Sequence, residues 1–148
     1  MWSREKALPS ARSAVAKALA IDDNLSFGHL QLGWIKLWYD WDWRGAEAEF
    51  LRAIQLSPND ASAHLKYSHY LSFTKRFDEA VAENRRAIDL APLDTLPAIH
   101  LSWIYTDARQ PDKALEQSRR VLARDPASWA PIFSLPVHMR SKENGPRP

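Results

Sequence analysis

Prolines recur at a fixed interval along the chain and mark its organisation. Pro58, Pro92 and Pro126 are 34 residues apart, and each is the last residue of a similar six-residue segment. A related segment, residues 18–23, lies 35 residues before the first of these and has Asp23 in place of the proline. Because a fixed period of this length marks a supersecondary unit that stacks on copies of itself, the chain is predicted to be a repeat protein.

When the repeats are aligned, two further sets of equivalent positions, here called columns, share this period. The first column consists of the alanines Ala11, Ala46, Ala80 and Ala114. In the second, Gly33, Ser68 and Ser102 each follow a large residue, and a small side chain there lets two helix backbones approach closely. The small residue precedes the alanine by 13 residues in the first unit and by 12 in the other two. The first unit therefore has one extra residue, which we place in the stretch Trp38–Trp43.

Composition and cap residues predict two helices in each unit. The chain has 4 glycines and is rich in helix-forming residues, which favours an all-α fold. Prolines and acidic or amide residues precede the expected helix starts, for example Asp60 and Pro111. The predicted helices cover residues 9–21, 25–39, 44–56, 61–74, 77–90, 95–108 and 111–124. We divide the chain into an N-terminal partial repeat (1–24), three repeats (25–128, as 26–60, 61–94 and 95–128), and a partial capping helix with a disordered tail (129–148).

These residues resemble the tetratricopeptide repeat (TPR), a 34-residue helical hairpin with a large-then-small pair, alanines and a closing proline. Unit one matches with Leu32, Gly33, Ala46, Phe50, Ala53 and Pro58, and the other units match at most equivalent positions. Departures include Asn84 and Ser118 at a bulky position, and we expect these to weaken packing locally. The resemblance implies a right-handed α-solenoid whose first helices line a concave groove that binds a protein or peptide.

The groove implied by this resemblance is apolar and rich in aromatic residues. Its predicted residues are Phe27, Leu30, Gln31, Trp34, Trp38, Leu65, Lys66, His69, Phe73, Leu96, Ile99, His100 and Trp103. Taken singly, Trp34 and Trp103 also fit a packing role, because aromatic residues at helical spacing commonly belong to a core. The Trp38–Trp43 stretch fits either a covered structural turn or a protruding recognition turn.

The stretch from Tyr39 to Glu47 also resembles repeat arrays attached to bacterial signalling proteins, behind winged-helix, adenylate cyclase or serine/threonine kinase domains. This resemblance implies an adaptor or sensory role in a bacterial regulatory system, and we expect a cytoplasmic location. We expect no membrane span, because the longest uncharged stretch, Leu25 to Ile35, is shorter than the roughly 20 residues needed.

The sequence does not favour catalysis or metal binding. It has no cysteine and no phosphate-binding or nucleophile motif, so we expect no enzyme, no cofactor and no metal. His29 and His64 occupy the same repeat position, which favours a structural role for both. Asp40 and Asp42 fit solvated turn residues better than paired catalytic carboxylates.

Two other functions remain open. The first is self-association as a scaffold through uncapped terminal repeats, with Trp129, Ile132 and Phe133 packing on the third repeat or on a neighbouring copy. The second is RNA binding by a helical repeat, which we disfavour because the net charge is only +2 and no polar pair suited to base reading recurs. The pairs Arg85-Arg86 and Arg119-Arg120 form at most a small basic stripe, which we interpret as a solvated outer face.

Overall fold

A computed structural model describes residues 4–127 of the chain, with side chains from Leu8 onward. These residues are helical apart from their turns and contain no strand. The helices are α1 (Arg4–Ile21), α2 (Ser26–Ile35), α3 (Trp43–Leu56), α4 (Ala61–Phe73), α5 (Phe77–Leu90), α6 (Leu96–Asp107) and α7 (Pro111–Arg124). The predicted all-α fold is thus confirmed. The predicted capping helix and tail lie outside the described residues.

The polar residues ahead of several helices act as caps. Asp42 accepts a hydrogen bond from the backbone N–H of Gly45 at the start of α3, and Asp60 accepts one from Ser62 at the start of α4, both at 2.9 Å. Such side chains satisfy backbone donors that have no partner within the helix. α7 begins at Pro111, whose missing N–H would in any case be unpaired.

The extra residue of the first unit lies inside the end of its first helix. α2 continues into a π-helical turn over Lys36–Asp40, and the left-handed residue Trp41 follows with a φ of 55°. Lys75 and Arg109 are the left-handed residues of the other two hairpins, at φ 61° and 57°. These three residues are 34 apart, so the period is restored before α3 begins. A π turn accommodates one additional residue without ending the helix.

The core lies between the helices of each hairpin and between neighbouring hairpins. Ala46, Ala80 and Ala114 have no exposed surface, as their recurrence predicts. Phe50 and Leu71 are fully buried beside them. Tyr67 and Tyr70 extend from this core, and both donate hydroxyl hydrogen bonds to Glu47, at 3.1 and 3.2 Å.

The helices stack as an α-solenoid of helical repeats. α2 packs on α3, α4 on α5 and α6 on α7, while α3 contacts α4 and α5 contacts α6. The first helices α2, α4 and α6 also contact one another in sequence, so they form one continuous face, which we call the first-helix face. No helix within residues 4–127 is long and apolar enough to cross a membrane.

Candidate functional site

A row of rings crosses the first-helix face. The aromatic row consists of Trp38, Trp34, His69, His100 and Trp103, in that order. Successive ring centroids are 5.8, 5.7, 3.3 and 5.7 Å apart. The tryptophan contacts in the row are edge-on, an arrangement that aromatic pairs prefer over face-to-face stacking. The sequence columns therefore do bring these side chains together across α2, α4 and α6.

The predicted groove residues differ in their access to solvent. The exposed ones are Phe27, Trp38, Phe73, Leu96 and Trp103. The half-buried ones are Gln31, Trp34, Leu65, Lys66 and His69. The buried ones are Leu30, Ile99 and His100. A surface that a partner can reach therefore includes only part of the predicted set.

Leu30, Ile99 and His100 differ from the other predicted groove residues because they are buried. Leu30 and Ile99 occupy one repeat column, and neighbouring helices cover both side chains. The His100 ring lies between those of His69 and Trp103, and its Nδ1 accepts a hydrogen bond from Asn84 at 3.1 Å. Because their surfaces are already covered by the protein, these three residues lie beneath the first-helix face.

An open apolar cavity lies beside the α2 end of the aromatic row. It has a volume of about 490 Å³ and lies between α1 and α2, with Phe27, Trp34 and Tyr39 on the α2 side. Its α1 side is formed by Leu8, Ala11, Ala14 and Val15. Ala11 is exposed, whereas the equivalent alanines of the three hairpins are fully buried. Within residues 4–127 no first helix covers this side of α1.

Sequence reasoning missed the contribution of α1 to this cavity. Ala11 and Val15 were recognisable as second-helix packing positions because they lie in the repeat columns. Both residues line the cavity, so the apolar positions of these columns are what α1 contributes to it. The cavity extends the candidate site from the first-helix face onto α1.

Charge is almost absent from the first-helix face. α2 has no charged residue, α4 has only Lys66 and α6 has only Asp107. The Lys66 Nζ lies 5.5 Å from the centroid of the Trp34 ring, within the range of a cation–π contact. Burial lowers the pKa of Lys66, and the nearby Asp60 opposes this effect only in part. The face therefore suits an apolar ligand with few charges.

The two histidines of the row are neutral bases. Burial lowers the pKa of His69 to about 4, and burial together with the adjacent His69 lowers the pKa of His100 to about 3. Asn84, fully buried, also donates to the Ser68 hydroxyl at 3.4 Å. Asn84 thus takes part in a polar contact between α4, α5 and α6, so this departure from the repeat pattern joins three helices.

Asp40 and Asp42, the acidic residues that connect the two helices of the first hairpin, both have structural partners. Asp40 pairs with the Arg12 guanidinium at 2.5 Å, and Asp42 caps α3. The Arg12 hydrogen bond lowers the pKa of Asp40, so this carboxyl does not suit a role as a proton donor. Trp41 is 67% exposed, and its left-handed backbone is rare for a bulky residue.

His29 and His64 make equivalent contacts in successive hairpins. Their Nδ1 atoms lie 2.7 Å from Glu49 and 2.6 Å from Glu83. Their Nε2 atoms face the backbone carbonyls of Asp23 and Pro58. These contacts occupy both ring nitrogens, as a structural role requires. No group of residues suited to holding a metal ion occurs within the described part of the chain.

No protein-family model matches the chain, and neither does any curated protein. Several solved structures share its architecture. PilF of Pseudomonas aeruginosa matches with a TM-score of 0.80 and 20% identity over 95% of this chain and 63% of its own. MamA matches with a TM-score of 0.71 and 20% identity, covering 88% of this chain and 76% of its own. YrrB, a TPR protein with an unusual peptide-binding site, matches at 0.69 and 16%, covering 89% and 66%. The likeness shows a TPR-like fold, and this chain spans 63 to 76% of those proteins.

Proposed function

We propose that the protein is a noncatalytic interaction module that binds an apolar peptide segment of a partner protein along the first-helix face. The observation that carries this proposal is the open apolar cavity of about 490 Å³, bordered by Phe27, Trp34 and the uncovered side of α1. Aliphatic side chains of α1 and aromatic side chains of α2 border this cavity, so an apolar helix or extended segment of a partner would find apolar contacts on both sides.

The aromatic row gives this segment a path beyond the cavity. Trp38 and Phe73, both exposed, lie 5.1 Å apart at their ring centroids, and Trp103 closes the far end. Aromatic anchors supply a large share of the binding energy at protein interfaces. Since the face has almost no charge, we expect affinity to come from apolar burial and to depend only weakly on salt.

The biological setting that fits is an adaptor or sensory part of a bacterial signalling or regulatory system in the cytoplasm. Support for it comes from the resemblance of the Tyr39–Glu47 stretch to repeat arrays of such proteins. In that role the module would recruit a partner and leave chemistry to other domains. The structural neighbour YrrB, with its peptide-binding site, supports the choice of a peptide as ligand.

Selection from a random peptide library against the immobilised full chain tests this proposal. We expect enrichment of peptides with aromatic and aliphatic residues and little net charge. Phe27→Ala and Trp103→Ala should each weaken an enriched peptide by about 1 kcal/mol or more in calorimetric titration. Leu51→Ala is the matched control, because Leu51 is an exposed apolar residue on a second helix.

Two outcomes would contradict the proposal. One is a set of selected peptides whose affinity is unchanged by Phe27→Ala and Trp103→Ala. The other is that the control substitution weakens binding equally. Light scattering over a concentration series separates the scaffold alternative: assembly that is blocked by substitution of Trp129, which lies outside the described residues, would favour self-association instead.

A further inference from the structure

A second recess, which includes no residue of the aromatic row, lies between α5, α6 and α7. It has a volume of about 500 Å³, and Arg85, Tyr105, Lys113 and Arg120 contribute to its lining. We propose that this recess binds the anionic side chain of an acidic peptide, with Arg85 and Lys113 as its cationic ligands. This site is independent of the proposed apolar groove.

The cations converge on one tyrosine. The Arg85 Nη2 donates a hydrogen bond to the Tyr105 hydroxyl oxygen at 3.2 Å, and the Lys113 Nζ lies 5.7 Å from the centroid of the Tyr105 ring. Neither Arg85 nor Lys113 has a carboxylate within ion-pair distance among the residues that the structure describes. The only acidic residue in the lining is Glu116, which pairs with Arg120 at 2.5 Å. The lining thus has an uncompensated positive charge.

The recess exists because the third hairpin lacks a pair that fills the same place in the first two. In the second hairpin His64 and Glu83 meet at 2.6 Å, and the first hairpin has the same pair. The positions 34 residues later hold Ala98 and Gln117. Gln117 Nε2 instead donates to the backbone carbonyl of Ala98 at 3.2 Å. Loss of the imidazole ring leaves open volume, and loss of the glutamate removes a negative charge.

Other substitutions around the recess, in the second and third hairpins, also add cationic character. Lys113 stands at the position held by Glu79 in the preceding hairpin, and Arg85 stands at that of Leu51. Tyr105 replaces Leu71 and introduces a hydroxyl group. The repeat does not require these changes for packing, since the equivalent helices one repeat earlier, α3, α4 and α5, pack with Leu51, Leu71 and Glu79 at these positions. Together they convert an apolar and acidic position into a cationic one.

The chemistry of the recess matches a carboxylate or phosphate on a side chain. A guanidinium binds such a group through parallel N–H donors, and an ammonium adds a point charge. The Tyr105 hydroxyl accepts from Arg85 and retains its own proton to donate. Ile88 and Leu101 also line the recess, so the methylenes of a glutamate side chain would have apolar contacts.

The test uses the ¹⁵N-labelled full chain and a peptide of alternating Glu and Gly residues. We expect concentration-dependent shifts of the Lys113 and Tyr105 amide signals, and none with a Gln-for-Glu counterpart of the peptide. Arg85→Gln should weaken binding about threefold or more, in line with the loss of one partly exposed charge contact. Arg86→Gln is the matched control, because it removes the same charge from the adjacent residue, which bonds Asn59 and does not line the recess.

A second variant tests the recess by filling it. The double substitution Ala98→His and Gln117→Glu restores the pair of the first two hairpins, so it should abolish binding while preserving the helical spectrum. A phosphoserine peptide compared with the glutamate peptide identifies which anion is preferred, and tighter binding of either one supports the site. Trp103→Ala should leave acidic-peptide binding unchanged, so the two proposed sites can fail separately.

Several results would overturn the proposal. Equal weakening by Arg85→Gln and Arg86→Gln would identify a diffuse basic surface. Unchanged binding in the filled double variant would place the peptide elsewhere. A third such result is a short RNA that binds more tightly than the peptide, with both arginine substitutions weakening its binding equally. That result would indicate nucleic-acid binding by the basic stripe of Arg85-Arg86 and Arg119-Arg120 instead.

Discussion

Gly33 is the position where the packing of the first hairpin is least tolerant of added volume. A Cβ at Gly33 would lie 2.9 Å from both Cδ1 and Cε1 of Phe50 and 3.2 Å from the Cβ of Glu49. Phe50 is fully buried, so its ring cannot move aside freely. Overpacking of this kind costs about 1 to 3 kcal/mol, and the better helix propensity of serine recovers about 0.5 kcal/mol. We therefore expect Gly33→Ser to lower the free energy of unfolding by about 1 to 2 kcal/mol.

The other hairpins show why serine itself is acceptable at this position. Ser68 and Ser102 are fully buried, and each donates its hydroxyl to a carbonyl three residues earlier at 2.7 Å. A serine at Gly33 can make the same bond, so the cost comes from the Phe50 ring. Phe50→Val removes both contacting ring atoms, at a cost below the roughly 3 to 5 kcal/mol of truncation to alanine.

A double-mutant cycle isolates this clash. In the Phe50→Val background, Gly33→Ser should cost nothing measurable, which gives a coupling energy of about 1 to 2 kcal/mol. Equilibrium urea unfolding of all four proteins, followed by far-UV circular dichroism and tryptophan fluorescence, measures it. Costs that add within about 0.5 kcal/mol would refute the reasoning, because contacting residues must be coupled.

Three further predictions concern the aromatic row and the buried histidines. Trp103→Ala should lower stability by about 1 to 2 kcal/mol, less than the roughly 3 to 5 kcal/mol of truncating a fully buried aromatic residue, because Trp103 is 37% exposed, and thermal melting checks this. Burial opposes protonation of His29, but the hydrogen bonds to Glu49 and Asp23 outweigh burial and raise the pKa of His29. The stability that His29 contributes is therefore lost as pH rises through that raised pKa. The difference in unfolding free energy between the native chain and His29→Ala should therefore shrink towards alkaline pH. Because the pKa of His69 is lowered to about 4, the protein should lose stability as pH falls from about 6.5 to about 4. His69→Phe should lose less unfolding free energy than the native chain over this pH range, as measured by unfolding at a series of acidic pH values.

The helices were predictable because their signals are local and repeated. The predicted second helices, 44–56, 77–90 and 111–124, agree with the structure to within one residue. The alanine column fixes one buried face, and a proline or an acidic cap lies at several of the helix starts. The location of the extra residue was also predictable to within a turn, since the period resumes at Trp41. Its form, a π turn that continues α2, depends on packing that a residue count does not contain.

The composition of the site was harder to predict because burial depends on neighbouring helices. Leu30 and Leu65 belong to one column, yet Leu30 is in the core and Leu65 is half-buried. His100 has the register of a groove residue, but the Asn84 amide and the flanking rings cover it. Asn84 was expected to weaken packing, and a single sequence gave no signal that the α5 amide would meet residues of α4 and α6.

The division of charge between the two kinds of helix supports the proposed binding function. Each first helix has at most one charged residue, whereas α3 has four and α5 and α7 have six each. The second helices therefore have most of the charged side chains of the three hairpins. The first helices are then free to keep exposed rings, such as Trp38 and Phe73, that contribute little to the core. Exposed apolar surface of this kind has an energetic cost in water, and a partner that covers it would recover that cost as binding energy.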